Sequence, residues 1–468
     1  MGDSEGLWHI TGSRVKVLSL AFDMYVHFCY NFDHKCTFMI KFNNNIILTE
    51  LMRQNPWWSR PQFKASEPIH HRRDMFPVFL DRVKNRELIT SLVGLRRVGK
   101  STLIRQIIDH LLQSGQDPKT ILYFLFEESL GKNTQDTLRQ ILDYQIQNNP
   151  HKRIFFFFDE IQYVDGWNSL LKFYFDTYPH LKFVVSGSAS LFIRTKATES
   201  LAGRIQELVL RPMGYGEYLR IHSKTHLPEH FLQYLAWGEF PYLEKLPDWA
   251  EKKEYVHDFI IKKVVEHDLP KLKKIYGSDL SSLLNILIAR SGQIVEIQNL
   301  SQDLGIAQNT VREYLGLLEK TYLVSQVFNL GIGFRTRSTR QRKIYASSVN
   351  AVVFQSIQGL ESDMWQQNIG YIIETFVYNY LLRQQSGDIH FFRQRQVKEV
   401  DFIQLDAESK LPIEVKYQNV LRPSDLDTLL YYCKKERLNK AVVVTKNEQS
   451  IKKIDGVEIS FKPAHTLL

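Results

Sequence analysis

Two short segments carry residues whose types and spacing could do phosphate chemistry. The first, Gly94-Leu95-Arg96-Arg97-Val98-Gly99-Lys100-Ser101, satisfies G-x-x-x-x-G-K-[ST] without departure. Glycines let backbone N–H groups curl round a phosphate chain. Lys100 sets a point charge on the β- and γ-phosphates, and the Ser101 hydroxyl ligates Mg2+. The N-terminus of a following helix adds partial positive charge. Gly94, Arg97, Gly99, Lys100, Ser101 and Thr102 are therefore the expected nucleotide contacts. The second segment runs from Ile154 through four phenylalanines to Asp159-Glu160. Asp159 is placed to hold Mg2+, directly or through water, and Glu160 to orient and polarise an attacking water. A carboxylate beside the metal acid points to hydrolysis, because phosphorylation of a small molecule needs no activated water. The expected cofactors are ATP and Mg2+.

Three further sets of residues invite a role. Phe183-Val184-Val185 runs into Ser186-Gly187-Ser188-Ala189-Ser190, where Ser186 or Ser188 could stand between the two acids and the γ-phosphate. In Ser200-Leu201-Ala202-Gly203-Arg204, Arg204 either reaches a phosphate of a neighbouring subunit or forms a surface ion pair. Towards the C-terminus come Glu374 on an apolar helix, Asp401 in a β-rich run, and Glu414 and Lys416 two residues apart. On a strand, Glu414 and Lys416 share a face. Two carboxylates can hold Mg2+, and a nearby Lys can position the water that attacks a phosphodiester. These four residues make a candidate nuclease site, either active or surviving only as scaffold.

The elements that must position these groups follow from periodicity. Leu88–Val93, 120–126, 153–158 and 183–186 are apolar runs of buried-strand type, and Leu103, Ile107, Ile108 and Leu111 mark a helix over 102–112. Strands alternating with helices imply a parallel sheet with crossover helices. From about 215 to 276 the pattern becomes helical and charged. Residues 300–307 then read as helix, Gly305 turn and helix start, and Val311, Leu315 and Leu318 pack a second helix whose outer face carries Asn309, Thr310, Arg312 and Glu313. That is a helix-turn-helix layout. Arg335, Arg337, Arg340, Arg342 and Lys343 follow with no acid among them, as a strip that either meets a phosphate backbone or is a solvated charged face.

Composition bounds the rest. The chain has 468 residues, a net charge of +9, 44% hydrophobic residues and three cysteines. So apolar a chain is not globally disordered, and three cysteines do not make a disulfide scaffold. Asp23, His27, Asp33, Lys35 and Lys41 interrupt the apolar patches of the N-terminal block, so neither a membrane span nor a signal peptide is expected, and a cytoplasmic location is. His27, Cys29, His34 and Cys36 invite zinc, but their one-residue spacers depart from the usual ligand spacing.

Taken together, the motifs resemble the AAA-type ATPases of archaea and bacteria that carry a C-terminal nuclease-like domain. The resemblance covers about 52–468. It rests on Asn55-Pro56-Trp57-Trp58, the 94–101 loop, Phe158-Asp159-Glu160-Ile161-Gln162, 186–190, Leu201-Ala202-Gly203-Arg204 and Gly238-Glu239-Phe240-Pro241. The 374, 401, 414, 416 set resembles the PD-(D/E)xK nuclease core. The resemblance implies an α/β fold: an AAA-like, ASCE-type P-loop NTPase core with a parallel sheet, a helical lid, a winged helix-turn-helix and a C-terminal α/β nuclease-like domain. It also implies that Arg204 works as an arginine finger. The expected boundaries are an N-terminal extension over 1–50, the core over 51–214, the lid over 215–279, the winged helix over 280–346 and the nuclease-like domain over 347–468. Residues 1–50 lie outside the resemblance, with Met39 or Met52 as alternative starts. Relatives often carry an Asp just after the Lys-Ile-Tyr strand, where this chain has Ala346-Ser347-Ser348.

Two function classes remain. One is ATP hydrolysis coupled to DNA binding or processing, in a homo-oligomer or with a protein partner. The other is a nucleotide-dependent docking switch whose winged helix and inactive nuclease-like domain bind protein. Both require the loop at 94–101. Replacing Lys100 by Ala is expected to abolish nucleotide binding, and ATP affinity unchanged by calorimetry would remove the phosphate-loop assignment.

Overall fold

The computed structural model describes residues 45–468 apart from 61–71, 127–133, 188–200, 270–276, 331–340, 361, 386, 395–397 and 407–408. The His/Cys pairs at 27–36, Met39, Ser188, and Arg335, Arg337 and Arg340 lie outside the described residues. Two compact units divide the chain, Met1–Asn45 and Ile46–Leu468. The following concerns the second.

Its first sheet has five parallel strands: β1 (Ile89–Val93), β2 (Ile121–Leu125), β3 (Ile154–Asp159), β4 (Leu181–Ser186) and β5 (Ile205–Val209). Their order is β2-β3-β4-β1-β5. β1, β3 and β4 are buried throughout, as apolar runs in a covered parallel sheet should be. Phe156 stacks on Phe158 and Phe183 at 5.6 and 5.3 Å, which joins β3 to β4 through their rings. β5 has no apolar run to announce it. It is an edge strand carrying Gln206 and Glu207, and it gains its place by pairing with β1 from Ile89–Ile205 to Val93–Val209. Since all five strands run the same way, the segments after β1, β3 and β4 emerge along one edge. This is the parallel-sheet α/β fold of P-loop NTPases.

The opposite side of β2 would be a raw edge, with unpaired N–H and C=O groups. Side chains close it. Asn55 Nδ2 donates to Tyr123 O at 2.9 Å, and Tyr123 N donates to Asn55 Oδ1 at 2.7 Å. The Trp57 and Trp58 indoles both donate to Ile121 O, at 3.1 and 2.8 Å, and Leu125 N donates to Gln54 Oε1 at 2.7 Å. The Asn-Pro-Trp-Trp segment is thus a strap that supplies the hydrogen bonds of a missing sixth strand.

After the sheet come the helices Tyr215–Ile221, Pro228–Trp237 and Trp249–Glu254, followed by wide π-helical turns over Tyr255–Lys262 and Val264–Asp268. Helices Gly277–Ala289, Ile297–Leu304 and Gln308–Lys320 then surround a three-stranded antiparallel sheet of β6 (Ile294–Val295), β7 (Val324–Phe328) and β8 (Arg342–Ala346), ordered β6-β8-β7. Gly305, at φ 66°, makes the turn between the second and third of these helices. Ser348 stands two residues beyond β8. Its side chain accepts from Ala351 N, capping helix Val349–Ser356, and donates to Glu239 Oε2 at 2.6 Å. Any short oxygen acceptor can fill such a position.

The last sheet has six strands: β9 (Asp388–Gln394), β10 (Lys398–Leu405), β11 (Lys410–Lys416), β12 (Lys440–Thr445), β13 (Ser450–Ile454) and β14 (Val457–Pro463), ordered β13-β14-β12-β11-β10-β9. It is mixed, with β11–β12 and β12–β14 parallel and the other pairs antiparallel. Val400, Ile403, Leu429, Val443 and Ile459 form its core. Among the described residues no helix is long and apolar enough to cross a membrane.

The strap predicts its own measurement. Asn55→Ala leaves Tyr123 N and O without partners, and each buried backbone group so orphaned costs about 1–3 kcal/mol. Denaturant unfolding should register a loss of at least about 2 kcal/mol, whereas an unchanged midpoint would show that β2 does not depend on the strap.

Candidate nucleotide site

The loop after β1 is built by three positive-φ residues, Gly94, Arg97 and Gly99. Gly94 has φ 149°, and a Cβ there would lie 2.2 Å from Leu210 O. Its glycine is thus required by the chain leaving β5, not only by phosphate approach. Gly99, at φ 98°, opens the helix Lys100–Gln113. The expected helix start at 102 moves back by two residues, so Lys100 and Ser101 lie in the first turn. Lys100 Nζ lies inside the loop, donating to Leu95 O at 2.9 Å and Gly94 O at 3.2 Å. A cavity of about 860 Å3 opens beside it. Arg97, Gly99, Lys100, Ser101, Thr102 and Glu160 all line it. Seven Lys and Arg side chains face this space against two carboxylates, Glu160 and Glu244, a balance suited to a polyanion.

The acids end β3 as expected. Asp159 is fully buried. Its Oδ1 accepts the Ser186 hydroxyl and, at 3.2 Å, the Glu160 N–H. Its Oδ2 accepts the Tyr123 hydroxyl at 2.9 Å. Ser186 is thereby brought to Asp159 from β4, which lies between β3 and β1. Neither Asp159 nor Ser186 is among the residues lining the cavity. Glu160 does line it. It has φ 53°, rare for a residue with a side chain, and its Oε2 accepts from Gln162 Nε2. Sequence reasoning missed Tyr123, since a Tyr within an apolar strand reads as core. Burial and the neighbouring Asp159 charge push its hydroxyl pKa far up, so it stays a donor.

A second missed group is Arg73. Its guanidinium is buried and donates to Val98 O in the phosphate loop at 2.6 Å, to Arg211 O at 2.7 Å, and to both Glu217 oxygens at 2.8 and 3.1 Å. Burial alone would raise the Glu217 carboxyl. Arg73 and the N–H groups of Gly214 and Asp74 instead hold it down at about 2. Arg97 turns outward from the loop (φ 66°) to place its guanidinium 5.8 and 5.5 Å over the rings of Tyr255 and Phe259, on the π-helical turn. Such turns recur at functional sites.

Arg204 lies elsewhere. Ile89 N donates to Arg204 O at 2.8 Å, so Arg204 stands at the start of β1 and β5, the end of the sheet opposite the loop. Its Nε donates to Asp176 at 2.7 Å across an exposed surface. It does not join the cavity of its own chain.

The C-terminal residues do converge. Lys416 Nζ lies 2.5 Å from Glu414 Oε1, and Val415 N donates to Asp401 Oδ2 at 2.9 Å. Burial and the Asp401 charge push the Glu414 carboxyl up to about 8. Burial is also the largest influence on Glu374, whose carboxyl rises to about 7. The basic strip requires a correction. Of its two described members, neither is solvated: Arg342 and Lys343 are buried on β8, at 6% and 2% exposure. Arg342 donates to Gln326 Oε1 at 2.8 Å, while Lys343 lies among Glu374, Glu399 and Asp401. The charge run that placed both in a strip facing a phosphate backbone or solvent took no account of β8 being the central strand of its sheet, buried at every residue.

Comparison with known families agrees with the core. The family described as "AAA domain" matches residues 86–219. Residues 228–349 match "Domain of unknown function (DUF8612)" and residues 369–463 match "Domain of unknown function (DUF4143)". An "Uncharacterized protein" of Haemophilus influenzae is 27% identical over 398 residues, covering 81% of this chain and 94% of that one. "Uncharacterized protein MJ1544" of Methanocaldococcus jannaschii is 26% identical over 353 residues, 70% of this chain and 75% of its own. Among solved structures, the "S. cerevisiae Hsp104-ADP complex" superposes at a TM-score of 0.29 with 11% identity, covering 57% of this chain and 44% of that one, too loosely to carry detail. Residues 86–219 are thus similar to AAA domains, and the chain has bacterial and archaeal relatives over most of its length.

Glu160→Gln removes the charge of the cavity-lining acid while keeping its shape. ATP binding should persist, and turnover should fall by roughly 10²–10⁴-fold, the usual worth of a positioned base. A normal turnover number in a steady-state phosphate-release assay would remove Glu160 from that role.

Proposed function

We propose that the chain is a Mg2+-dependent ATPase whose hydrolysis is coupled to its C-terminal half, and through it to DNA binding or processing. The observation that carries the reading is the cationic cavity bounded by Lys100 and Ser101 on one side and Glu160 on the other, within the segment that matches AAA domains. In this reading Lys100 gives up the Gly94 and Leu95 carbonyls for the β- and γ-phosphates, and the N–H groups at the helix start hold the phosphate oxygens. The donor set fits a hard divalent cation: the Ser101 hydroxyl would hold Mg2+ directly and the buried Asp159 carboxylate, which does not line the cavity, would hold it through water; the ion would supply neutralisation of the developing phosphate charge. Ser186 and Tyr123 keep Asp159 oriented, and Glu160 takes the proton of the attacking water. The Arg97 guanidinium, already against Tyr255 and Phe259, joins phosphate-loop geometry to the lid. Arg204, remote from the cavity of its own chain, serves as an arginine finger only in a homo-oligomer, towards a neighbour's nucleotide.

DNA would meet the helix Gln308–Lys320 of a winged helix, at its exposed first residues Gln308 and Asn309 with Arg312 behind them. A second reading is favoured by one observation: with Lys343 turned into the carboxylate cluster, part of the expected wing charge is spent inside the protein. In that reading the winged helix and the nuclease-like sheet are docking surfaces for a protein, and nucleotide state switches them.

Steady-state ATP hydrolysis with and without double-stranded DNA, at two salt concentrations, separates the readings. Stimulation that fades as salt rises is expected, since phosphate contacts release counterions. A rate indifferent to DNA at both salts would leave the docking switch.

A further inference from the structure

A nuclease-like core calls for a divalent cation among Glu374, Asp401 and Glu414. Most of the oxygens there are already committed, and a lysine stands among them. Lys343 Nζ, arriving from β8 of a different sheet, lies 2.8 Å from Glu374 Oε1, 2.7 Å from Glu399 Oε1 and 3.5 Å from Asp401 Oδ1. The Tyr345 hydroxyl, two residues on, also donates to Glu374 Oε1, at 2.7 Å. The remaining Asp401 oxygen is held by Val415 N–H, and Glu414 is held by Lys416. A metal bound by these carboxylates would sit within a few ångströms of a buried ammonium, and like charges so close in a poorly screened interior repel strongly. Lys343, at 2% exposure, has no solvent to retreat into without moving its strand. Among the described residues no group of three His, Cys, Asp or Glu is arranged to hold a metal ion. Two oxygens are left over: Glu374 Oε2, since Lys343 and Tyr345 both take Oε1, and Glu414 Oε2, which is buried with no hydrogen-bond partner. The residues as they stand therefore do not fit a metal, although their chemistry would suit one.

We propose that the Lys343 ammonium is a resident counter-ion standing in for a divalent cation between Glu374, Glu399 and Asp401, so that the chain binds no metal there while β8 is seated and gains a hard-cation site when that ammonium is removed. The cluster then does two things. It ties the three-stranded sheet to the six-stranded one, and it keeps the nuclease-like carboxylates closed. Only a movement of β8 would free them. The proposal rests on reading those carboxylates as a cation site and is independent of the ATPase reading, since its test uses no nucleotide.

The test is Mn2+ titration of the full-length protein without nucleotide, with free Mn2+ read by electron paramagnetic resonance. The proteins compared are the wild type, Asp401→Asn, Lys343→Met, and Lys343→Met combined with Asp401→Asn. The wild type and Asp401→Asn should take up Mn2+ alike. Lys343→Met should gain a site binding roughly tenfold or more tighter than any wild-type uptake, because the competing charge is gone, and the added Asp401→Asn should remove it. A wild-type site that Asp401→Asn abolishes would overturn the proposal, as would a folded Lys343→Met protein with no gain. Should circular dichroism show Lys343→Met unfolded, Lys343→Gln, which keeps a hydrogen-bond donor in place, carries the same expectation and the same contrary result.

Discussion

The buried Arg73 guanidinium is the point on which the nucleotide site depends. Four acceptors meet there: the carbonyl of Val98 in the loop after β1, the carbonyl of Arg211 just after β5, and both oxygens of Glu217 in helix Tyr215–Ile221. The chain leaving β5 is also joined to the start of the loop, where Leu210 N donates to Val93 O at 2.7 Å. What ties both to helix Tyr215–Ile221 is one planar fork of donors, which accepts little distortion. A buried pair of this kind earns modest net stability, but losing either partner leaves an uncompensated charge in the interior. The loop, the sheet edge and helix Tyr215–Ile221 are therefore fixed relative to one another by the protein alone.

Two buried lysines show how surroundings decide the meaning of burial. Lys182 on β4 is surrounded by neutral acceptors, the carbonyls of Arg86 and Leu88 and the Thr90 hydroxyl, with Arg153 and Arg82 nearby. Burial, helped by those cations, pushes its ammonium down to about 7. Lys343 is buried more deeply, yet its carboxylate neighbours overcome desolvation and raise it far above the ordinary lysine range. The first is a polar group tolerated in a sheet. The second is held as a cation by the carboxyl groups around it.

Much of the nucleotide site was legible because its chemistry is local in sequence. A phosphate loop needs its glycines, lysine and hydroxyl within eight residues, and the acids close a run of phenylalanines that announces a central strand. Ser186 was legible in the same way, at the end of the next apolar run. What escaped was assembled from distant segments. Tyr123 meets Asp159 only because β2 and β3 are neighbours, and Arg73 lies outside every periodic pattern. Lys343 was read with the arginines before it as part of a basic strip, either meeting a phosphate backbone or solvated. Its partners lie 31 to 58 residues further on, Glu374 on the helix Asp363–Gln384 and Glu399 and Asp401 on β10, and nothing in a one-dimensional charge pattern links them. Strand β5 escaped because an edge strand need not be apolar.

The strap over β2 has a consequence for how the chain is made. A sheet edge is most dangerous when it has folded and its cover has not. Here the cover, Gln54 to Trp58, precedes the strand it covers by more than sixty residues. During synthesis, which delivers N-terminal segments first, the strap is already outside the ribosome when Ile121–Leu125 emerges. The newborn sheet meets its own chain before it meets another copy's.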